Sequence, residues 1–124
     1  MALRAQEEEE YQEIELNFRE TVQPGAGVRV TKSYFLAGRI TKAMFSFPPG
    51  CNALVDAKLE KDMKPFYPIN GFLALDDATP VYHTSVGYYA KEPLTVEIRN
   101  RDEVNPHTIT CTVVIRFKTP SWWS

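Results

Sequence analysis

The stretch ITCTVVIRF at residues 109–117 decides the fold of this chain. Its odd-numbered positions are all apolar, and threonine or arginine fills three of the four positions between them. Neighbouring side chains of a β-strand point to opposite faces, so this period of two indicates a strand with one face in a core. No other alternation in the chain is as long, and we predict a buried strand here.

The same period of two runs through most of the chain, and prolines and glycines separate its segments. We predict a loop at residues 60–71 and about eight strands, at residues 14–18, 28–35, 40–47, 53–59, 72–75, 81–89, 94–98 and 109–117. Strands at this spacing are typical of a sandwich or barrel. We therefore predict an all-β fold, an antiparallel β-sandwich that is jelly-roll-like and has extended terminal arms. A period of two does not reveal strand order, so an immunoglobulin-like order stays open.

Length and composition indicate one domain with a substantial core. Of the 124 residues, 44% are hydrophobic and 24% are charged, as in ordinary globular proteins. We predict an acidic N-terminal arm at residues 1–10, a β-sandwich domain at 11–118 and a C-terminal tail at 119–124. The apolar runs are too short to span a bilayer and no secretory signal is evident, so we expect no membrane partner.

The net charge of −2 is unevenly distributed. Residues 1–20 carry seven glutamates against two arginines, a balance of −5, so the remainder is +3. That remainder is not basic or clustered enough to favour nucleic-acid binding. The glutamates have two interpretations, a solvated terminus or an arm that pairs with basic residues of a neighbouring subunit, such as Arg99, Arg101 or Lys118.

Two adjacent tryptophans follow the last predicted strand, just past Pro120. Trp122 and Trp123 have no predicted strand or helix of their own, and tryptophan is a frequent anchor of protein interfaces. We therefore predict a homo-oligomer, or a chain that docks on a capsid or another protein lattice. The predicted interface residues are Trp122, Trp123, Glu7, Glu8, Glu9 and Glu10.

One segment, LTVEIRNRDEVNPHTITC at residues 94–111, carries candidate metal ligands. It resembles the first copper-ligand segment of cupredoxins, and the resemblance implies that His107 would be a copper ligand. A type 1 copper site also needs a thiolate and a second histidine, yet no histidine or methionine follows Cys111. We therefore interpret His107 as a turn residue. His83 has no close ligand partner in the sequence, and we interpret it as structural.

Loop carboxylates are candidates for calcium, namely Asp76 and Asp77 with Asp56 or Asp102. An Asp-Asp pair before Ala-Thr-Pro is also ordinary turn chemistry, in which the side chain accepts backbone N–H bonds. The sequence has no repeated Asp-X-Asp pattern. We predict no bound metal and no cofactor.

Catalytic motifs are absent from the sequence, including Gly-X-Ser-X-Gly, a glycine-rich phosphate loop and His-Glu-X-X-His. Cys111 lies among strand threonines and is predicted to be an inert buried thiol. A disulfide between Cys51 and Cys111 stays open, because sequence does not test its geometry. We predict that the protein is not an enzyme.

The remaining aromatic residues cluster around proline-bearing loops and short strands; they are Tyr82, Tyr88, Tyr89, Phe66 and Tyr67. Most such rings belong to a core. Exposed together, they would instead form a flat platform for sugar rings. Carbohydrate binding by a β-sandwich module with exposed aromatic rings is therefore the alternative function.

Three stretches resemble small β-sandwich structural proteins of virus particles, of the decoration or adaptor type in tailed phages and archaeal viruses. They are FSFPPGCNALVDAKL (45–59), NGFLALDDATPVY (70–82) and EPLTVEIRNRDEVNPHTITCTVVIRF (92–117). The resemblance implies a virion location and an oligomer whose terminal arms link neighbouring subunits. It carries over no binding residues. We therefore predict a non-enzymatic structural or assembly protein that self-associates and docks through its termini.

Overall fold

The computed structural model describes residues 10–123, which form eight β-strands and one short 3-10 helix. The elements are β1 Tyr11–Val22, β2 Gly27–Lys32, β3 Gly38–Ser46, β4 Val55–Lys61, β5 Lys64–Tyr67, β6 Val81–Tyr88, β7 Leu94–Asn100, β8 His107–Lys118 and the 3-10 helix Ser121–Trp123. The predicted all-β sandwich of about eight strands is confirmed. Glu7, Glu8 and Glu9 of the predicted arm lie outside the described residues. Over residues 10–123, no helix has the length and apolar character needed to cross a bilayer.

The strands pair antiparallel in two four-stranded sheets. The first sheet has the order β1-β8-β3-β6 and the second has the order β2-β7-β4-β5. Partners therefore nest, with β1 beside β8, β2 beside β7, β3 beside β6 and β4 beside β5. This nested arrangement in two layers is the strand order of a jelly roll. The strand order thus favours the jelly-roll interpretation over the immunoglobulin-like one.

The core lies between the two sheets and consists of the inward-facing residues of each alternation. In β8, the odd-numbered residues from Ile109 to Phe117 are at most 2% exposed, as the period of two predicts. The outward-facing Val114 of this central strand is also buried, with 7% of its surface exposed. The largest buried side chains of the core are Phe18, Phe45, Phe47, Phe117, Ile40, Leu59, Leu94, Ile98, Ile109 and Ile115.

One predicted strand is wrong and one strand was missed. Residues 72–75 make only a single bridge to β4, between Leu73 and Ala57, whereas β5 lies within the predicted loop 60–71. The β4–β5 hairpin turns at Asp62 and Met63, whose positive φ angles of 52° and 64° suit a two-residue hairpin turn. The Asn-Gly or Asp-Gly signal of such a turn is absent, and Pro65 is tolerated because β5 is an edge strand.

The second strand ends at Lys32 rather than continuing through residue 35. After Lys32 the backbone bonds to the β6–β7 connection instead of to a neighbouring strand. The Tyr34 amide donates to the hydroxyl of Tyr88 at 2.8 Å, and its carbonyl accepts from the Lys91 amide at 2.7 Å. Residues 33–37 therefore form a loop fixed at the end of the sandwich.

The strand registers place the two ends of the described chain at the same end of the sandwich. Tyr11 at the start of β1 pairs with Lys118 at the end of β8, and we call this end the tail end. Val22 pairs with His107 at the opposite end. The β1–β2, β3–β4 and β7–β8 connections lie there, and we call it the turn end.

Candidate functional site

The C-terminal segment is folded onto the sandwich, which differs from the extended arm expected there. After β8, the amide of Thr119 donates to the carbonyl of Glu10, which ties the tail to the start of β1. Pro120 then ends the ladder, and the amide of Trp123 donates to the Pro120 carbonyl at 3.0 Å in the 3-10 turn. The backbone of the tail is therefore tied to the start of β1 before its proline and closed into a turn after it.

Both predicted tryptophans belong to a connected group of aromatic rings at the tail end. The Trp123 ring lies edge-on to Phe117, with centroids 5.5 Å apart, and 6.3 Å from Phe35. Trp122 lies edge-on to Trp123 at 5.8 Å. These separations fall within the range of favourable aromatic pairs. We call the three outer rings, Phe35, Trp122 and Trp123, the aromatic patch.

The aromatic patch has a buried foundation and an open surface. Tyr34 lies below it, 4.9 Å from Phe35 and 5.3 Å from the buried Phe117. Phe35 is 48% exposed, Trp122 68% and Trp123 41%. With about 150–250 Å² per aromatic side chain, these fractions leave on the order of 300 Å² of aromatic surface open. This area lies at the lower end of the range of about 300–600 Å² for the largest apolar patch on a typical monomer, a patch that is often functional.

The predicted interface glutamate that the structure describes has a partner in its own chain. Glu10 lies 3.5 Å from the ammonium of Lys118, and both side chains are well exposed. The other two proposed partners of the acidic arm lie at the turn end and are engaged there. Arg99 pairs with Glu97 at 2.9 Å, and Arg101 pairs with Asp56 at 2.9 Å. Of the three basic residues, Lys118 alone lies at the tail end beside Glu10.

The predicted tyrosine cluster does not form a flat exposed platform. Tyr67 stacks on Tyr82 with centroids 5.3 Å apart and also contacts the core ring of Phe45 at 5.8 Å. Phe66 packs edge-on against Tyr82. These rings cover the side of the core. Tyr88 is buried, and its hydroxyl donates to the Glu92 carbonyl at 2.6 Å.

Tyr89 is the exception within this cluster, because it is 78% exposed. It follows β6 and therefore lies at the tail end, as the aromatic patch does. One exposed ring offers a stacking surface for a single sugar unit but does not make a platform.

The turn end holds a second arrangement, built around His107. Its Nε2 lies 2.8 Å from Oδ2 of Asp102, and its Nδ1 lies 3.9 Å from Sγ of Cys51. The thiol beside His107 is therefore that of Cys51. Cys111 faces the core from the middle of β8, whereas Cys51 arrives from the β3–β4 turn. Both cysteines are free thiols.

The β7–β8 turn fixes Asp102 through a set of local hydrogen bonds. The Asn100 side chain accepts from the Asp102 amide at 3.0 Å and donates to the carbonyls of Val22 and Asn105. Oδ1 of Asp102 accepts from the amides of Val104 and Asn105. The bond to His107, followed by these amides, lowers the pKa of Asp102 to about 2. Asp102 is therefore ionised at neutral pH and orients the imidazole.

The β3–β4 turn holds the thiol of Cys51 in its protonated form. The amides on either side of it, from Gly50 and Asn52, both donate to Oδ1 of Asp76 at 3.0 and 2.9 Å. Burial, and then the negative charge of Asp76, raise the pKa of Cys51. Burial also raises the pKa of Cys111. Neither thiol has the depressed pKa of an activated nucleophile.

The four candidate calcium ligands are not brought together. Asp56 accepts both arms of the Arg101 guanidinium, Asp76 accepts turn amides, and Asp102 binds His107. Across residues 10–123, His, Cys, Asp and Glu side chains form no group of three or more that would hold a metal ion. His83 lies in a shallow polar groove on the outer face of the first sheet, beside Lys42, Glu13 and Glu15.

Two features of these candidate sites are not predicted in the sequence analysis. Phe35 falls at the end of the predicted strand 28–35, although the consecutive Tyr34-Phe35-Leu36 breaks the period of two and is a signal for a loop that presents apolar side chains. The contact of Cys51 with His107 has no local signal, because the two residues come from different turns that the nested strand order brings together.

Comparisons with known proteins support the fold and assign no family. No protein-family model and no curated protein sequence matches the chain. The crystal structure of FLHE is similar, with a TM-score of 0.53 and 12% identity over 87% of this chain and 97% of that chain. A structure of Bacillus endospore appendages, which form disulfide-linked pili, has a TM-score of 0.43 and 12% identity over 89% of each chain.

A carbohydrate-binding module of the β-sandwich superfamily has a TM-score of 0.35 and 9% identity, covering 88% of this chain and 57% of that one. At such identity the likeness to FLHE is a likeness of fold alone, and the two lower scores carry no functional argument. The comparisons therefore support the β-sandwich fold and assign no function.

Proposed function

We propose that this chain is a non-enzymatic structural protein that associates with further copies of itself through the aromatic patch. The observation that carries the proposal is the exposure of Phe35, Trp122 and Trp123 as one contiguous group on a fixed backbone. Aromatic residues held in place lose little side-chain entropy on docking, and they dominate the energy of many interfaces.

The size of the patch sets the expected strength of the contact. If two copies buried their patches against each other, about 600 Å² would be covered, about half of the smallest standard interface. At about 25 cal/mol per Å² this burial contributes up to roughly 15 kcal/mol, against association costs of about 4–15 kcal/mol. The patch alone therefore supports weak pairing. Stable assembly requires additional contacts, or many weak contacts in a lattice.

The acidic N-terminal segment is the proposed source of such contacts. Glu10 lies at the tail end, as the aromatic patch does. We propose that Glu7, Glu8 and Glu9 pair with basic residues of the neighbouring copy. Exposed ion pairs contribute little energy and mainly set register and salt sensitivity.

We further propose that the chain is a virion decoration or adaptor protein and that its copies assemble in a lattice on the virus particle. Two points support this role, the resemblance of three sequence stretches to such proteins and the jelly-roll strand order, which recurs in viral capsid domains. The same strand order occurs in lectins. Carbohydrate binding at the exposed rings is therefore the alternative outcome of the tests.

The deciding experiment is native mass by light scattering from micromolar to millimolar protein. We expect the mass of the full chain to rise with concentration. Replacing Trp122 and Trp123 together by alanine, or Phe35 by alanine, should suppress that rise while the circular dichroism spectrum stays that of a β-protein. Val104→Ala is the matched control, because Val104 is 78% exposed at the turn end.

A monomeric full chain at all concentrations would contradict self-association. Binding of a glycan to that monomer, lost on substitution of the same tryptophans, would replace the proposal with the carbohydrate alternative. An oligomer that survives the substitutions would place the interface elsewhere on the sandwich.

A further inference from the structure

We propose that Cys51 and His107 form a binding site for a soft monovalent metal ion of the Cu(I) class, with Asp102 as a positioning residue. This site lies at the turn end. It shares no residue with the aromatic patch, so the two proposals can be tested independently of each other.

The geometry suits an ion held between a sulfur and a nitrogen. Sγ of Cys51 and Nδ1 of His107 are 3.9 Å apart. In the near-linear arrangement that a two-coordinate ion of this class prefers, bonds of about 2.3 and 2.0 Å, the lengths found for zinc, place the two ligand atoms about 4.3 Å apart, about 0.4 Å further than in this structure. The two ligand atoms thus need little displacement to receive an ion.

Asp102 presents the correct ring nitrogen to the site. Its carboxylate holds Nε2 of His107 at 2.8 Å, so Nε2 carries the proton and Nδ1 keeps its lone pair toward Cys51. A carboxylate behind a ligating histidine is the common arrangement in metal sites, where it fixes ring orientation and strengthens the ligand. The amides of Val104 and Asn105 in turn fix Asp102.

The number and type of ligands select the class of ion. Within residues 10–123 no third His, Cys, Asp or Glu joins the pair, and zinc sites ordinarily use four ligands. Thiolate sulfur favours Cu(I) over oxygen-seeking ions, and closed-shell monovalent ions of this type accept two ligands. On binding, the S–H bond breaks, its proton passes to solvent and an S–metal bond forms. One positive charge replaces another, so the charge of this buried site is unchanged.

The β3–β4 turn offers a short entry path. Cys51 is fully buried, but its neighbours Gly50 and Asn52 are exposed, so the thiol lies one residue below the surface. Asn52 and Ala53 have φ angles of 49° and 58°, a left-handed conformation that residues other than glycine adopt at a cost. Local opening of this turn, which breaks the bonds of Gly50 and Asn52 to Asp76, would expose the thiol.

Cys111 provides an internal control for the proposal. It is equally buried but lies in the middle of β8, facing the core, without a histidine beside it. If the ion bound to any thiol without a histidine ligand, its affinity would not depend on His107.

The test is an anaerobic titration with Cu(I), in competition with a chromophoric Cu(I) chelator. We expect one ion per chain, release of one proton, and the same stoichiometry in Cys111→Ser. Cys51→Ser should abolish this binding. Asp102→Asn should weaken it about 10–100-fold, as expected when a carboxylate behind a ligating histidine is lost, and His107→Gln should weaken it at least as much.

Nuclear magnetic resonance of the imidazole nitrogens in the unsubstituted protein gives a second readout that does not depend on a variant folding. Cu(I) should shift Nδ1 of His107 and leave the ring of His83 unchanged. Equal affinity in Cys51→Ser, binding that requires Cys111 instead, or an unmoved His107 resonance would each overturn the proposal. Light scattering of the same samples reports self-association separately.

Discussion

Gly38 opens β3 at a point where the first sheet leaves no room for a side chain. A Cβ atom at this position would collide with the backbone carbonyl oxygen of Arg116 in β8. Because the obstacle is backbone in a central strand, relief requires the β3–β8 ladder to move apart. The glycine is therefore a packing requirement, independent of any need for positive φ.

We expect Gly38→Ala to lower the free energy of unfolding by about 1–3 kcal/mol, the usual cost of forcing extra volume into a packed region. Chemical denaturation monitored by circular dichroism measures this. Gly87→Ala is the matched control in β6, because a Cβ there meets nothing within 4 Å. Equal stability of the two variants would contradict the close approach of β3 to β8.

Asp102 gives the stability a defined acid dependence. Its pKa is lowered from 3.8 to about 2 in the folded chain, so the unfolded chain takes up a proton first as the pH falls. The stabilisation is complete above about pH 4 and is lost as the pH falls through about 2. Asp102→Asn should therefore be less stable than the unsubstituted chain at pH 7, with the difference shrinking in that window.

Urea midpoints measured between pH 7 and pH 2 test this dependence. Glu103→Gln in the same turn is the control and should follow the unsubstituted chain. Parallel pH profiles for Asp102→Asn and the unsubstituted chain would show that the Asp102–His107 bond does not stabilise the fold.

At the scale of elements, the outer face of the second sheet carries an ion-pair network that joins three strands. Oε1 of Glu97 in β7 lies 2.6 Å from a guanidinium nitrogen of Arg29 in β2 and 3.8 Å from the ammonium of Lys58 in β4. Oε2 of Glu97 lies 2.9 Å from Nε of Arg99. Burial raises the pKa of Glu97, but the hydrogen bonds from Arg99 and Arg29 outweigh burial and leave it below its ordinary value. The carboxylate therefore links side chains of three neighbouring strands.

We expect Glu97→Gln to destabilise the chain by about 1 kcal/mol, because the side chains of its arginine partners, Arg29 and Arg99, are 43% and 57% exposed and are therefore screened by solvent. The loss should shrink as salt is raised, since screening weakens the pairs in the unsubstituted chain. Denaturant midpoints in low and high salt measure both effects. Glu13→Gln, on the exposed face of the first sheet, is the control. A loss independent of salt would point to packing instead of charge.

Which elements could be predicted depends on which signal defines them. β8 was predictable because its buried face alternates over nine residues, and burial of that face dominates its energy. β5 was not, because it has four residues, contains Pro65 and follows a turn without a glycine. Such a strand is fixed by pairing with β4 and by the ring contacts of Tyr67, which are long-range.

At the scale of the whole molecule, both tryptophans of the chain lie in the aromatic patch. Their fluorescence therefore reports this surface and no other part of the sandwich. If copies meet there, raising the protein concentration should shift emission to shorter wavelength and reduce quenching by acrylamide, in parallel with the rise in mass. A rise in mass with unchanged quenching would show that the copies meet elsewhere. The Val104→Ala variant should behave as the unsubstituted chain does.

The candidate sites were partly predictable at this scale. Trp122 and Trp123 stand out in the sequence because they follow Pro120 with no alternation to bury them. Phe35 joins them only through the loop that the fold fixes beside β8, and Cys51 meets His107 only because the nested strand order brings two distant turns together. Contacts between residues that are distant in the chain cannot be predicted from the local sequence around each residue.

The convergence of the start of β1 and the tail at one end of the sandwich gives the molecule a polarity. A copy held by its tail end in an array would present the β1–β2, β3–β4 and β7–β8 turns outward. Antibodies raised against the intact array would then recognise those turns, while an affinity tag added after the tryptophans would be hidden. A peptide inserted at the exposed Gly25-Ala26 turn would be displayed on the accessible side of every copy.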